Sequence, residues 1–208
     1  MRLRFLPFLP FRSHVLLLLC ATVLALSACS EKSSPAATFT NTDVTGLAYG
    51  KGFELTDHQG QRRTLADYKG KAVVVFFGFM HCPDVCPTTM MEMSNVMKAL
   101  GPDADRVQVI FITLDPERDS QDLLSQYVTA FDPRFVGLRG TPEEIDRTAQ
   151  EFKVFHEKVP GKEPGSYTID HTAGSYVFDP EGRLRLFVRH GQGVEPVVHD
   201  LKILLTGR

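Results

Sequence analysis

The most apolar stretch in the body of the chain is KAVVVFFGF, Lys71 to Phe79, with no polar side chain between Ala72 and Gly78. A β-branched and aromatic run without alternation reads as a strand buried on both faces, as at the centre of a mixed or parallel sheet. VQVIFITLD, Val107 to Asp115, reads as a second such strand. Between the two the period changes. Met90, Met93, Met97 and Leu100 recur at helical spacing and mark one face of a helix. Pro87 fits its first turn, where a missing N–H costs nothing, and Gly101 fits its stop. SQDLLSQYVTAF and TPEEIDRTAQEF predict two further helices, with RFVGLRG as a short strand between them. Thr141 before Pro142 supplies an N-cap followed by a first-turn proline. KVFHEKV predicts another strand and PGKEPGSYTID a loop. TAGSYVFD and RLRLFVR, joined by PEG, predict a hairpin, and GVEPVVHDLKILLTG a closing amphipathic helix. Strands alternating with helices predict an α/β fold, without internal repeat or second domain.

The N-terminus follows a different pattern. Arg2, Arg4 and Arg12 precede an apolar run from Val15 to Leu26, too short for a membrane span of roughly 20 residues. These are the n- and h-regions of an export signal. LSAC, Leu26 to Cys29, resembles a bacterial lipobox, which predicts removal of residues 1–28 and a lipid on the Cys29 sulfur; an uncleaved membrane anchor is the alternative. Ser30 resembles an outer-membrane sorting residue, and which membrane is left open. Residues 29–46 are small and polar with no apolar period, and read as a flexible tether. Residues 47–208 are left as the folded domain, carried as a membrane-anchored lipoprotein facing the periplasm of a bacterium.

Composition narrows the function. A chain of 208 residues, 43% hydrophobic and 23% charged, holds one globular domain plus tails. A net charge of −2 and the lack of a basic run in the body argue against nucleic-acid binding. Of 4 cysteines, Cys20 would leave with the signal and Cys29 would carry lipid. Cys82 and Cys86 remain, in HCPDVCPTT between the first central strand and its helix. Disulfides persist in an oxidising compartment, but one closing so small a loop stabilises little. A working thiol pair, redox-active and able to form a disulfide, is the better reading. Helix N-terminal N–H groups beside Cys86 predict a lowered thiol pKa.

The order of elements resembles a thioredoxin-like domain, with a central mixed sheet flanked by helices, although thioredoxin itself has two residues between its cysteines. Three segments go further. YKGKAVVVFFGFMHCPDVCPTT (Tyr68 to Thr89), FITLDPERDSQDLLSQYVTAF (Phe111 to Phe131) and DHTAGSYVFDPEGRLR (Asp170 to Arg185) resemble the Sco/SenC family of copper-binding assembly proteins, a likeness running from about Phe53 to the C-terminus. The resemblance implies copper held by Cys82, Cys86 and His171, with His171 opening a strand that faces the motif. It also implies service to the dinuclear copper site of cytochrome c oxidase. Thiolates and imidazole suit copper; zinc also accepts two cysteines, a histidine and water, but copper binds such ligands more tightly. The implied partners are a copper-receiving oxidase subunit or another periplasmic copper chaperone, a thiol reductant, and the membrane through Cys29.

Other residues carry weaker expectations. Met90, Met93 and Met97 read as a core stripe, and Met91 lies off it. His81 adjoins Cys82, but neighbouring side chains tend to point apart. His58, His156, His190 and His199 read as surface or structural. Asp119 reads as a helix N-cap and Asp115 as the end of a strand, with partner docking or support of the ligands as the alternative for both. Asp170 either orients His171 or caps a loop. Two functions follow. A metallochaperone needs Cys82, Cys86 and His171, whereas a thiol–disulfide oxidoreductase needs only the cysteines. Thiol redox state gating copper binding would join them. A peroxidase fits less well, since it needs one strongly activated cysteine.

Overall fold

The computed structural model describes residues 38–207. The expected signal over residues 1–28, Cys29 and the first part of the tether lie outside the described residues. Among the described residues no helix is long and apolar enough to cross a membrane.

The two apolar runs form the centre of the molecule. Strand β4 (Ala72–Gly78) and strand β5 (Val107–Thr113) are buried at every position and pair in parallel, Val74 opposite Val109 and Phe76 opposite Phe111. Helix α1 (Val85–Leu100) connects them, and Met90, Met93 and Met97 are buried along it as the stripe requires. Gly101 closes α1 at φ 59°, a conformation that glycine adopts without a Cβ clash. Helix α2 (Gln121–Phe131) leads to strand β6 (Val136–Arg139), parallel to β5. Helix α3 (Pro142–Glu151) starts at Thr141, whose hydroxyl accepts the Glu144 N–H while the Glu144 carboxylate accepts the Thr141 N–H.

The remaining strands complete a mixed sheet. Strands β9 (Gly174–Phe178) and β10 (Leu184–Arg189) form the expected hairpin, and β9 lies antiparallel to β4 with Ser175 opposite Phe76. Strands β1 (Thr42–Asp43), β2 (Glu54–Asp57) and β3 (Arg62–Thr64) lie at the edges, giving the order β1-β10-β9-β4-β5-β6-β2-β3. Helix α4 (Val194–Leu205) packs against α1. The α/β class, a central mixed sheet flanked by helices, is as the pattern predicts.

Two segments differ from the sequence reading. The stretch read as a loop after Val159 contains strand β8 (Tyr167–His171), which pairs with β7 (His156–Pro160) as a separate two-stranded sheet. His171 therefore closes a strand rather than opening one.

The last residues of the expected tether, 29–46, are structured where the structure describes them. Thr42 pairs with Phe187 and Asp43 with Leu186. Just before them, the buried Asp200 carboxylate of α4 accepts the N–H groups of Thr40 (2.9 Å) and Asn41 (2.8 Å) and the Asn41 side-chain amide at 2.9 Å. Thr40 to Asp43 thus belong to the folded domain, which the sequence reading began at residue 47. Polar residues without period can still be fixed when a buried carboxylate collects their N–H groups. Burial alone would raise the Asp200 pKa. The N–H donors of Thr40 and Asn41 and the His199 imidazole outweigh it and hold the carboxyl below its ordinary value. Asp200→Ala is expected to destabilise the domain by about 3 kcal/mol, as loss of several charge-assisted hydrogen bonds does. The contribution is present above a pH of about 4, the unfolded carboxylate value, and fades as pH falls through the lower folded value. Urea unfolding of wild type and variant across pH measures both.

Candidate functional site

The cysteines sit where β4 ends and α1 begins. Cys86 is in the first turn of α1 and fully buried; Cys82, in the preceding loop, is half-buried. Both are free thiols. The Cys86 N–H, one of the unpaired donors of the helix start, donates to the Cys82 sulfur at 3.3 Å. The helix N-terminus therefore serves Cys82, not Cys86 as expected from sequence. Burial drives the Cys86 thiol pKa well up, opposite to the expected direction. Desolvation disfavours the thiolate more than the Phe79 backbone contact favours it.

The space for Cys86 comes from Gly78, at the last position of β4. A Cβ at Gly78 would lie 2.8 Å from the Cys86 sulfur, 2.9 Å from the Phe111 ring and 3.0 Å from the Phe76 ring. The sequence reading passed over Gly78. Its signal was a glycine inside an otherwise unbroken strand run, which often marks close approach.

His171 arrives from β8. Its Nε2 lies 3.7 Å from the Cys86 sulfur, although 85 residues separate the two. Its Nδ1 lies 3.0 Å from the Thr172 carbonyl, which can only accept, so Nδ1 carries the hydrogen. Nε2 then presents a lone pair to the Cys86 S–H. Burial lowers the His171 pKa, against the Thr172 hydrogen bond, and favours the neutral ring. The rings of Phe79 and Phe76 stand edge-on to the imidazole at 6.0 and 6.3 Å between centroids. Asp170 does not orient this ring; it is exposed on the hairpin opposite Glu157, and the Thr172 carbonyl takes that role.

The two ends of the site differ in access. Cys82 and His171 line an open groove together with Phe79, Pro83, Val85 and Phe155. Cys86 lies beneath, buried against Gly78.

Asp119 is not the N-cap of α2; Ser120 is, its hydroxyl accepting the Leu123 N–H. Asp119 is buried and accepts the Met80 N–H at 3.1 Å and the Thr113 hydroxyl at 2.5 Å. Asp115 is buried as well, accepting the Tyr167 hydroxyl at 2.8 Å and pairing with Arg118. His81, exposed, reaches to within 3.8 Å of Asp119. These three side chains bring donor atoms within 4.8 Å of one another. Both Asp115 oxygens are already engaged by Tyr167 and Arg118, so the group reads as a hydrogen-bonded support rather than a metal cage. The other histidines among the described residues have structural partners. His58 Nδ1 accepts the Gly137 N–H, His156 meets Asp146, His190 meets Thr89 and His199 meets Asp200. Met91 is exposed on α1.

The SCO1/SenC family model matches residues 42–206. Protein SCO2 homolog, mitochondrial, of zebrafish is 42% identical over 139 residues, 65% of this chain and 50% of that protein. The chain thus spans half the length of that relative. Among solved structures, Bradyrhizobium japonicum ScoI with copper bound is 44% identical, covers 75% of this chain and 98% of its own, and superposes with a TM-score of 0.68. Apo Sco1 from Thermus thermophilus is 40% identical, covers 82% and 99%, and has a TM-score of 0.72.

The Gly78 contact is directly testable. Gly78→Ala is expected to cost about 1–3 kcal/mol of stability through overpacking. Combining it with Cys86→Ala removes the sulfur that the new methyl would strike, so part of the loss should return. Denaturant midpoints of wild type, both single variants and the double variant give the comparison; strictly additive losses would contradict the contact.

Proposed function

The chain belongs to the SCO1/SenC family, and on that premise we propose that it is a copper-binding metallochaperone for assembly of the dinuclear copper site of cytochrome c oxidase, with Cys82, Cys86 and His171 as the ligands. The observation that carries the reading is the 3.7 Å between the Cys86 sulfur and His171 Nε2, with Nδ1 tied back to the Thr172 carbonyl. A metal bonded to sulfur at about 2.3 Å and to nitrogen at about 2.0 Å, the lengths zinc adopts, holds the two atoms about 3.7 Å apart in a trigonal plane. Two thiolates and one neutral imidazole are soft and borderline donors suited to copper. Relatives solved with copper bound support the choice of cargo.

The chain's own groups then do three things. Thr172 fixes the tautomer so that Nε2 faces the thiols. The Cys86 thiol, kept protonated by burial, must release its proton as metal enters, so affinity rises with pH. Cys82 and His171 line the groove, so donors of a receiving protein would meet them first while Cys86 holds the cargo from below. The partner would be a copper-receiving oxidase subunit or another copper chaperone. A thiol reductant would be needed upstream, because a Cys82–Cys86 disulfide has no thiolate to offer.

The proposal extends to the N-terminus. Residues 1–28 act as a lipoprotein signal, Cys29 carries the lipid, and a tether of about ten residues holds the domain at a periplasmic membrane surface. The support is the LSAC segment directly after the apolar run. Cys29→Ser is expected to abolish incorporation of labelled fatty acid and leave the uncleaved precursor; equal labelling of wild type and variant would contradict it.

His171→Ala separates copper carriage from thiol–disulfide exchange. It removes one donor and leaves both thiols. Copper affinity is expected to fall by more than the roughly 10–100-fold that outer-shell partners cost, and oxidase assembly in a deletion strain should fail. Exchange with a small disulfide should persist, since it depends on the thiolates. A folded variant that restores the oxidase fully without added copper would favour the oxidoreductase reading.

A further inference from the structure

The loop from Leu114 to Ser120 touches both halves of the site. On one side Asp119 accepts the N–H of Met80, two residues before Cys82. On the other, Asp115 and Arg118 hold Tyr167, the first residue of the strand that ends at His171. The grip on Tyr167 is threefold. Its hydroxyl donates to Asp115 at 2.8 Å. Its carbonyl accepts from Arg118 Nη1 at 3.0 Å. Its ring lies under the Arg118 guanidinium, 3.6 Å from the centroid. Asp115 pairs with the same Arg118, closing a cycle of three side chains. Lys158 of β7 also lies over the ring at 4.8 Å and bonds Glu117 of the loop at 2.7 Å.

The hairpin needs such a fastening. Among the described residues strands β7 and β8 pair only with each other, and an isolated two-stranded hairpin is marginal in water. Its direction is set by what ties it to the body. Asp115 has no exposed surface, and a buried carboxylate stripped of its partners is costly, so the cycle favours one arrangement. From Tyr167 the extended strand carries that arrangement four residues on, about 13 Å, to His171.

We propose that the Asp115–Arg118–Tyr167 cycle is the positioning device that holds His171 at bonding distance from Cys86 and thereby sets how tightly copper is held. The proposal rests on the reading of Cys82, Cys86 and His171 as the ligands. The three are positioning residues that act through His171.

The test is a double-mutant cycle on the full chain. Tyr167→Phe deletes only the hydroxyl and leaves the ring beneath Arg118. Cu(I) affinity is measured by competition with a chromophoric chelator for wild type, Tyr167→Phe, His171→Ala and the double variant. Thermal unfolding of the metal-free proteins checks folding. Tyr167→Phe is expected to weaken Cu(I) binding about 10-fold when His171 is present and to have no effect when position 171 is alanine. In metal-free Tyr167→Phe, the imidazole 15N resonances of His171 should shift toward a mixture of tautomers. Equal weakening in both backgrounds would mean a general structural role and overturn the proposal, as would unchanged affinity in the presence of His171. Wild-type protein that binds no Cu(I) would instead overturn the ligand assignment, and the cycle with it.

Discussion

The antiparallel pairing of β9 with β4 is the constraint from which the site follows. Ser175 opposite Phe76 places the start of β9 level with the end of β4, where the cysteine loop begins. His171, three residues before β9, is thereby delivered to the same end of the sheet as Cys82 and Cys86. The pairing requires close packing on both strands. Gly174 leaves room for the Phe187 ring, and Gly78 leaves room for the Cys86 sulfur. These two close approaches are particular to the observed register, since a side chain in place of either glycine would strike the Cys86 sulfur or the Phe187 ring.

On that frame the site is built from neutral groups. Burial raises the Cys86 thiol pKa and lowers that of His171, so both resist charge in the metal-free protein. The S–H and the Nε2 lone pair face each other where a soft cation would replace the proton. The charged residues nearby serve the scaffold instead. Asp119 holds the cysteine loop, Asp115 holds the hairpin, and both belong to the loop after β5. One short acidic loop therefore braces the two segments that carry sulfur and nitrogen.

Much of this was legible in the sequence, for identifiable reasons. β4 and β5 are apolar at every position, and α1 carries its core residues at helical spacing, so tertiary context had nothing to override. β2 and β3, three or four residues long and partly polar, are too short for alternation to register. β8 lies in a stretch rich in glycine and proline and is strand only through its pairing with β7. The cysteines stood out by spacing, but periodicity could not select His171 among the histidines; the family resemblance did. Helix position predicted a lowered pKa for Cys86 and missed the burial that reverses it, because the space that takes in that sulfur is left by Gly78 on another element. The partner of His171 Nδ1 is a backbone carbonyl, which has no side-chain signature to read.

If Cys82, Cys86 and His171 form one copper site, all three donors must bind the same ion. X-ray absorption at the copper edge of the Cu(I)-loaded protein tests this, because the scattering shells count and identify the donors. Two sulfur donors and one imidazole nitrogen are expected in the wild type, with the nitrogen shell lost in His171→Ala. A wild-type site coordinated by sulfur alone, or one whose nitrogen shell survives His171→Ala, would contradict it.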